Sequence, residues 1–321
     1  MKRISNLLVG LAAVLVCTSC DDIFEEDISD DIITIITPTQ DEVISGNTVT
    51  FMWNGLEGAD NYRVQVSRSN TSEMTLDSLV GKTSLSVPFP SGEFEWRVRG
   101  ENFAYTTSYT FPEGFLVESS NDLSVQNVFL STPSDNFYTR NNTIILNWSV
   151  LEAAESYSLQ VTKTIGGNSS VTLQQDELVS TSFTLDANTL DGDAAFKWSV
   201  KGVNETSETP FSNRTILLDT QVPNQPSLIS PNDAETVGTI VDFSWGSPED
   251  IGAVQSPLQS LLEIATEEDF SAILQTYTVA GGSGERQHEF SNPGEYFWRV
   301  RMEDQAGNIG QYSVVKTITV E

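Results

Sequence analysis

Val49-Thr50-Phe51-Met52-Trp53 sets large apolar side chains at every second position and ends on tryptophan. The pattern returns as Ile144-x-Leu146-x-Trp148 and as Val241-x-Phe243-x-Trp245. Side chains two apart on a strand share a face, so each triplet is expected to point into one core. Thr50, Asn147 and Asp242 fall on the opposite face. A second series follows each first: Phe94-x-Trp96-x-Val98, Phe196-x-Trp198-x-Val200 and Tyr296-x-Trp298-x-Val300. All 6 tryptophans belong to these two series. Self-similarity at about one hundred residues marks three like modules, and core packing is the expected role of every tryptophan.

Working outward, Pro38, Pro133 and Pro231 precede the first tryptophans at near-constant distance, where a strand end or edge needs no amide. Tyr62-x-Val64-x-Val66 and Tyr157-x-Leu159-x-Val161 form the next strand. The third repeat departs: its counterpart is Ser260-x-Leu262-x-Ile264, without the tyrosine and after a longer loop. Turn signals, Pro90-Ser91-Gly92, Asp191-Gly192-Asp193 and Pro293-Gly294, precede the second tryptophans. Short strands with period-two patterning and no helical period predict an all-β chain of three tandem antiparallel β-sandwiches. The expected bounds are 33–120, 121–220 and 221–321, with short linkers near Asn121-Asp122 and at residues 220–226, the second stiffened by Pro223 and Pro226.

The order of proline, strand-ending tryptophan, Tyr-x-φ-x-φ and (Tyr/Phe)-x-Trp-x-Val resembles fibronectin type III modules of bacterial surface proteins. The resemblance implies a tyrosine corner, a tyrosine that opens the sixth strand and hydrogen-bonds back to the chain. Only Tyr296 matches it, since Phe94 and Phe196 lack the hydroxyl. The Cys…Trp…Cys spacing of immunoglobulin domains is absent. Such modules serve adhesion, binding and spacing alike, so the resemblance implies no one ligand.

The N-terminus reads as an export signal: Lys2 and Arg3, then an apolar run at residues 7–16 that is short for a bilayer span. Small residues then lead to Cys20. The segment resembles a lipoprotein signal of residues 1–19 with Cys20 as lipid acceptor; the competing readings are an ordinary cleaved signal or an anchor helix. Cys17 stands where the lipoprotein pattern has leucine, yet cleavage before it would put Val16 at the −1 position, so Cys20 is the better acceptor. Seven of the eleven residues 21–31 are acidic, which predicts an extended tether over residues 20–32. An acidic run directly after the lipid cysteine resembles the surface-export signal of Bacteroidetes lipoproteins. In proteobacteria an aspartate there favours retention in the inner membrane instead. The length of the run favours export and an outer-membrane, surface-exposed location, with a periplasm-facing lipoprotein as the alternative.

The formal net charge is −29. It disfavours nucleic acid and anionic headgroups, leaving the bilayer, reached through the lipid, as the one membrane contact. Of 2 cysteines, Cys17 leaves with the signal and Cys20 carries lipid, so no disulfide staples the modules.

Catalytic chemistry finds little material. No catalytic residue, metal ligand set or cofactor is assigned. The 1 histidine, His288, sits in a polar segment and reads as a surface residue. Residues 281–284 are glycine-rich but lack the lysine and the helix of a phosphate loop. Glu303, Asp304 and Asn308, and likewise Glu267, Glu268 and Asp269, share loops without EF-hand spacing. Sandwich loops carry function. Two are the candidates here: the first module's loop with Phe103 and Tyr105 as ligand-binding residues, and the third module's insertion at residues 248–259. Tyr109 and Phe111 are expected to start the last strand and pack inward. Asp77-Ser78-Leu79 resembles the Bacteroidetes O-glycosylation acceptor and makes Ser78 a modification candidate.

The expected function is a non-enzymatic surface lipoprotein acting as a binding, adhesive or spacer array for an extracellular protein or glycan. The alternative is a glycan-binding accessory of a polysaccharide-uptake system. A third class, an enzyme with a carboxylate pair in a cleft between modules, requires two acids about 5–9.5 Å apart.

Overall fold

The computed structural model describes residues 25–71, 73–246 and 251–321. Among these residues twenty-four strands form six antiparallel-rich sheets, one sheet of three strands and one of five for each module. The first module holds β1 (Ile35–Thr37), β2 (Glu42–Ser45), β3 (Thr48–Trp53), β4 (Asn61–Arg68), β5 (Met74–Val80), β6 (Ser84–Pro88), β7 (Gly92–Glu101) and β8 (Glu113–Glu118). Its sheets run β1-β3-β6 and β2-β8-β7-β4-β5.

The second module repeats this with β9 (Leu130–Thr132), β10 (Phe137–Thr139), β11 (Ile144–Trp148), β12 (Ser156–Ile165), β13 (Asn168–Leu178), β14 (Ser182–Leu185), β15 (Ala194–Val203) and β16 (Ser212–Leu218). The third holds β17 (Ser227–Ser230), β18 (Glu235–Val237), β19 (Ile240–Gly246), β20 (Leu258–Ala265), β21 (Ile273–Ala280), β22 (Gly284–Glu289), β23 (Gly294–Asp304) and β24 (Lys316–Val320). Their sheets are β14-β11-β9 with β10-β16-β15-β12-β13, and β17-β19-β22 with β18-β24-β23-β20-β21. The central pairs are antiparallel, whereas β10 on β16 and β18 on β24 are parallel. By compactness the chain divides into two units. One comprises residues up to 43, 49–87 and 92–116; the other comprises 44–48, 88–91 and 117–321, and so holds the second and third modules together.

The two tryptophan series fill the cores as their alternation requires. Trp53, Trp96, Trp148, Trp198, Trp245 and Trp298 are all buried. In the first module the Phe51 and Trp96 rings lie 4.8 Å apart, and in the third Phe243 and Trp298 lie 5.0 Å apart. Burying each such ring removes 150–250 Å² from water, the main source of stability where no disulfide helps.

The prolines end strands as expected, and their carbonyls are satisfied in two ways. Trp96 Nε1 donates to the Pro38 carbonyl at 2.8 Å. In the second module Arg214 Nη1 donates to the Pro133 carbonyl at 2.6 Å, and in the third Lys316 Nζ reaches that of Pro231 at 3.1 Å. Trp198 and Trp298 then have no partner for Nε1. The tyrosine corner is present where the sequence allows it: Tyr296 Oη donates to the Asn292 carbonyl at 3.0 Å. Phe94 and Phe196 are fully buried at the matching positions.

The acidic leader departs from the expected tether. Ile28 is fully buried and Ile33 nearly so, while Asp31 N donates to the Ile28 carbonyl at 3.1 Å. Charge density argued for extension through residue 32, but a single well-placed isoleucine gains more by burial than the flanking carboxylates lose by remaining at the surface.

Candidate functional site

The loop after β7 is built around Asn102. Its Oδ1 accepts from the backbone of Ala104 (3.1 Å) and Tyr105 (2.7 Å), and its own N–H donates to the Tyr105 carbonyl (3.0 Å). Its Nδ2 donates to the carbonyls of Gly58 (2.9 Å) and Glu26 (2.8 Å). One side chain thus closes the turn and ties it to the entering leader. Phe103 stands at the tip, 92 % exposed, and Tyr105 is 36 % exposed. Both candidate residues are therefore held out by a well-bonded turn.

Tyr109 and Phe111 do not pack inward. They precede β8, and Phe111 is 92 % exposed. Tyr109 lies beneath two guanidinium groups, Arg97 at 4.3 Å and Arg99 at 4.7 Å from its ring centre. The inward-facing positions of the final strand begin at Phe115, so the aromatic run starts one loop earlier than alternation suggested. Tyr109 and Phe111 line a groove of about 480 Å³ with Ile32, Ile33 and the carboxylates Asp31 and Glu113. Ile32 is 85 % exposed. Apolar groups gathered in one exposed groove mark an interaction surface more than scattered ones do. The signal in the sequence is aromatic density, which alternation alone directs to the core.

Ser78 lies on edge strand β5, half-buried with Leu76 and Val80 on the alternating positions that face inward. Its neighbour Asp77 accepts from Arg63 (2.9 Å) and Gln65 (3.0 Å), and these bonds hold its carboxyl below the usual aspartate range. Cys20 lies outside the described residues.

The third module's insertion is not a free binding loop. Its residues 251–257 pack against the second module. Asp219 is fully buried; its Oδ2 accepts from Ser256 N (3.1 Å) and Oγ (2.6 Å), and its Oδ1 accepts from Gln221 N (3.1 Å). Asp193 Oδ1 accepts from Val254 N at 2.8 Å. Its Oδ2 is buried without a partner, and a Cβ at Gly252 would collide with it. Burial, and next the charge of Asp219, push the Asp193 carboxyl up from its ordinary value. On the other side of the joint Asn308 Nδ2 donates to the Asp219 carbonyl (2.9 Å) and to Asp304 Oδ2 (2.8 Å).

The missing tyrosine and the longer loop are two sides of one change. Tyr62 and Tyr157 pin the loop after the first tryptophan by accepting from Leu56 N and Leu151 N, each at 2.8 Å. Ser260 cannot reach that far. Its Oγ instead accepts from Trp245 Nε1 at 2.9 Å and donates to the Gly281 carbonyl at 2.7 Å. The released loop is secured by the carboxylates of the neighbouring module. Trp53 and Trp148, beside the two tyrosines, leave Nε1 unpaired.

The other polar candidates have local partners. Glu303 accepts from Arg301 at 2.7 Å, Asp304 binds Asn308, and Asp269 accepts from Ser271 N at 2.9 Å. Among the described residues no group of three or more His, Cys, Asp or Glu could hold a metal, and no helix is long and apolar enough to cross a membrane.

His288 is not a plain surface residue. It is half-buried on β22, its Nδ1 lies 3.0 Å from Tyr277 Oη, and its ring meets Phe290 edge-on at 4.5 Å. Burial lowers its pKa. The folded state thus favours the neutral ring. Stability of the third module is expected to fall as pH drops below the unfolded histidine value of about 6.5 towards the lower folded one. Thermal unfolding at pH 7.5 and 5.5 checks this. His288→Gln should remove that part of the pH dependence; an unchanged difference would refute the assignment.

No family model matches the chain, and no curated protein matches it. Among solved structures, the chicken CNTN1 FN1-FN3 domains align over 90 % of this chain and 98 % of theirs, with 17 % identity and a TM-score of 0.43. The fibronectin(III)-like modules of Clostridium thermocellum CbhA align over 58 % of this chain and 94 % of theirs, at 11 % identity and a TM-score of 0.23. The chicken interferon gamma receptor alpha chain aligns over 59 % of this chain and 99 % of its own, at 13 % identity and a TM-score of 0.27.

Proposed function

We propose that the chain is an extracytoplasmic lipoprotein, anchored through Cys20, that works as a non-enzymatic binding and spacing array. Sandwich modules of this kind commonly serve binding or spacing, with function placed on loops and edges. The observation that carries the binding role is the first-module groove, where Phe111 and Ile32 stand almost wholly exposed although the core behind them is complete. The fully buried carboxylate of Asp219 is engaged by backbone and serine donors of the joint, which is a structural use.

A glycan-binding accessory role is the second reading, favoured by the same groove: an exposed ring beside the carboxylates Asp31 and Glu113 suits stacking and hydroxyl recognition of a neutral sugar. Metabolic labelling with a fatty-acid analogue tests the anchor. Label on the wild-type chain and its loss in Cys20→Ala are expected, and equal labelling of both would reject Cys20 as acceptor. Glycan-array binding abolished by Phe111→Ala would select the second reading.

A further inference from the structure

We infer that Phe103 and Tyr105 form an aromatic foot that enters the lipid–water interface beside the anchor; this rests on the reading of Cys20 as lipid acceptor. The loop that carries them is bonded directly to the leader, Asn102 Nδ2 to the Glu26 carbonyl at 2.8 Å. Glu26 is six Cα steps from Cys20, so full extension spans at most about 20–22 Å. The Cα of Cys20, from which the lipid hangs, cannot be farther than that from the leader's fixed point, and Phe103 is the residue next to Asn102.

The turn is rigid for its size. Asn102 Oδ1 bonds two successive amides, so Phe103 cannot fold back onto the module and its ring stays in water unless something covers it. The second module builds the same turn on Asn204, whose Oδ1 accepts from Thr206 N (3.1 Å) and Ser207 N (2.8 Å) and whose Nδ2 donates to the Asn121 and Ala153 carbonyls, each at 3.0 Å. Glu205 follows Asn204 there, and in the third module Gln305 follows Asp304. The architecture is shared, but the aromatic tip occurs only in the module that the leader enters. A tyrosine ring favours the headgroup level of a bilayer, where one end is apolar and the other wet, and a phenylalanine ring the acyl boundary just below it. The acidic leader restricts the fit to a surface without net negative charge.

The test uses the full lipidated protein in phosphatidylcholine vesicles, with plain or brominated acyl chains. Phe103→Trp puts a fluorophore at the tip, while the 6 native tryptophans are buried in the cores. The added emission is expected to be lost in brominated vesicles and to persist in plain ones. Mass spectrometry of the same samples reads the diacylglycerol on Cys20. Equal emission in both vesicle types with Cys20 lipidated overturns the foot and leaves the anchor standing. An unmodified Cys20 overturns the anchor and the foot with it. Emission that ignores lipid but shifts with added oligosaccharide assigns the loop to a glycan and overturns the foot.

Discussion

Trp298→Ala is expected to cost the third module about 3–5 kcal/mol. The indole is fully buried, stands edge-on to Phe243 at 5.0 Å and lies under Lys316 at 5.8 Å. A module of this size has only ~5–15 kcal/mol in total. Denaturant unfolding of the variant should show its midpoint far below wild type; an unchanged midpoint would contradict the core assignment. Phenylalanine separates packing from hydrogen bonding. Trp198 and Trp298 have no partner at Nε1, so Trp→Phe there loses only volume. Trp96→Phe also strands the Pro38 carbonyl and should cost about 1 kcal/mol more than either.

Asp219→Ala is expected to destabilise the unit of the second and third modules by about 3 kcal/mol, because it strands the buried Ser256 amide and hydroxyl and the Gln221 amide. For a unit of this size that corresponds to a melting shift of about 6–12 °C. Relief of the like charge at Asp193 offsets a part. Asp219→Asn should recover part of the loss, since its amide oxygen can take the Oδ2 place and accept from Ser256, while its nitrogen then meets only the Gln221 amide donor to donor. Calorimetry reads both variants. Wild-type melting of the two modules together, separating into two transitions in the variants, is the expected pattern; independent melting in the wild type would refute the joint.

The cores were legible because strand periodicity converts sequence directly into facing. The two Trp series, the prolines and the lone corner tyrosine at Tyr296 all follow from residues two apart or from one hydroxyl. What the sequence could not show is which neighbour receives a side chain that leaves its own module. The insertion at residues 248–259 reads as a polar, exposed loop until Asp193 and Asp219 of the second module close on it. Ser260 shows only as a missing tyrosine, although its hydroxyl takes the Trp245 indole. Ile28 sits in an acidic run whose average composition hides one buried position. Phe111 was drawn into the last strand by alternation, yet β8 starts two residues later and leaves the ring in water. Of the candidate site, Phe103 and Tyr105 were legible as aromatics in a polar loop, whereas their bond to the leader through Asn102 needed the tertiary structure.

Protease shaving of intact cells tests the proposed location of these modules, outside the cell on a lipid anchor, most directly. Immunoblotting should show the modules lost while a periplasmic control survives. Full protection of the modules under conditions that strip a known surface protein would contradict surface exposure, and would turn the array into a periplasmic spacer.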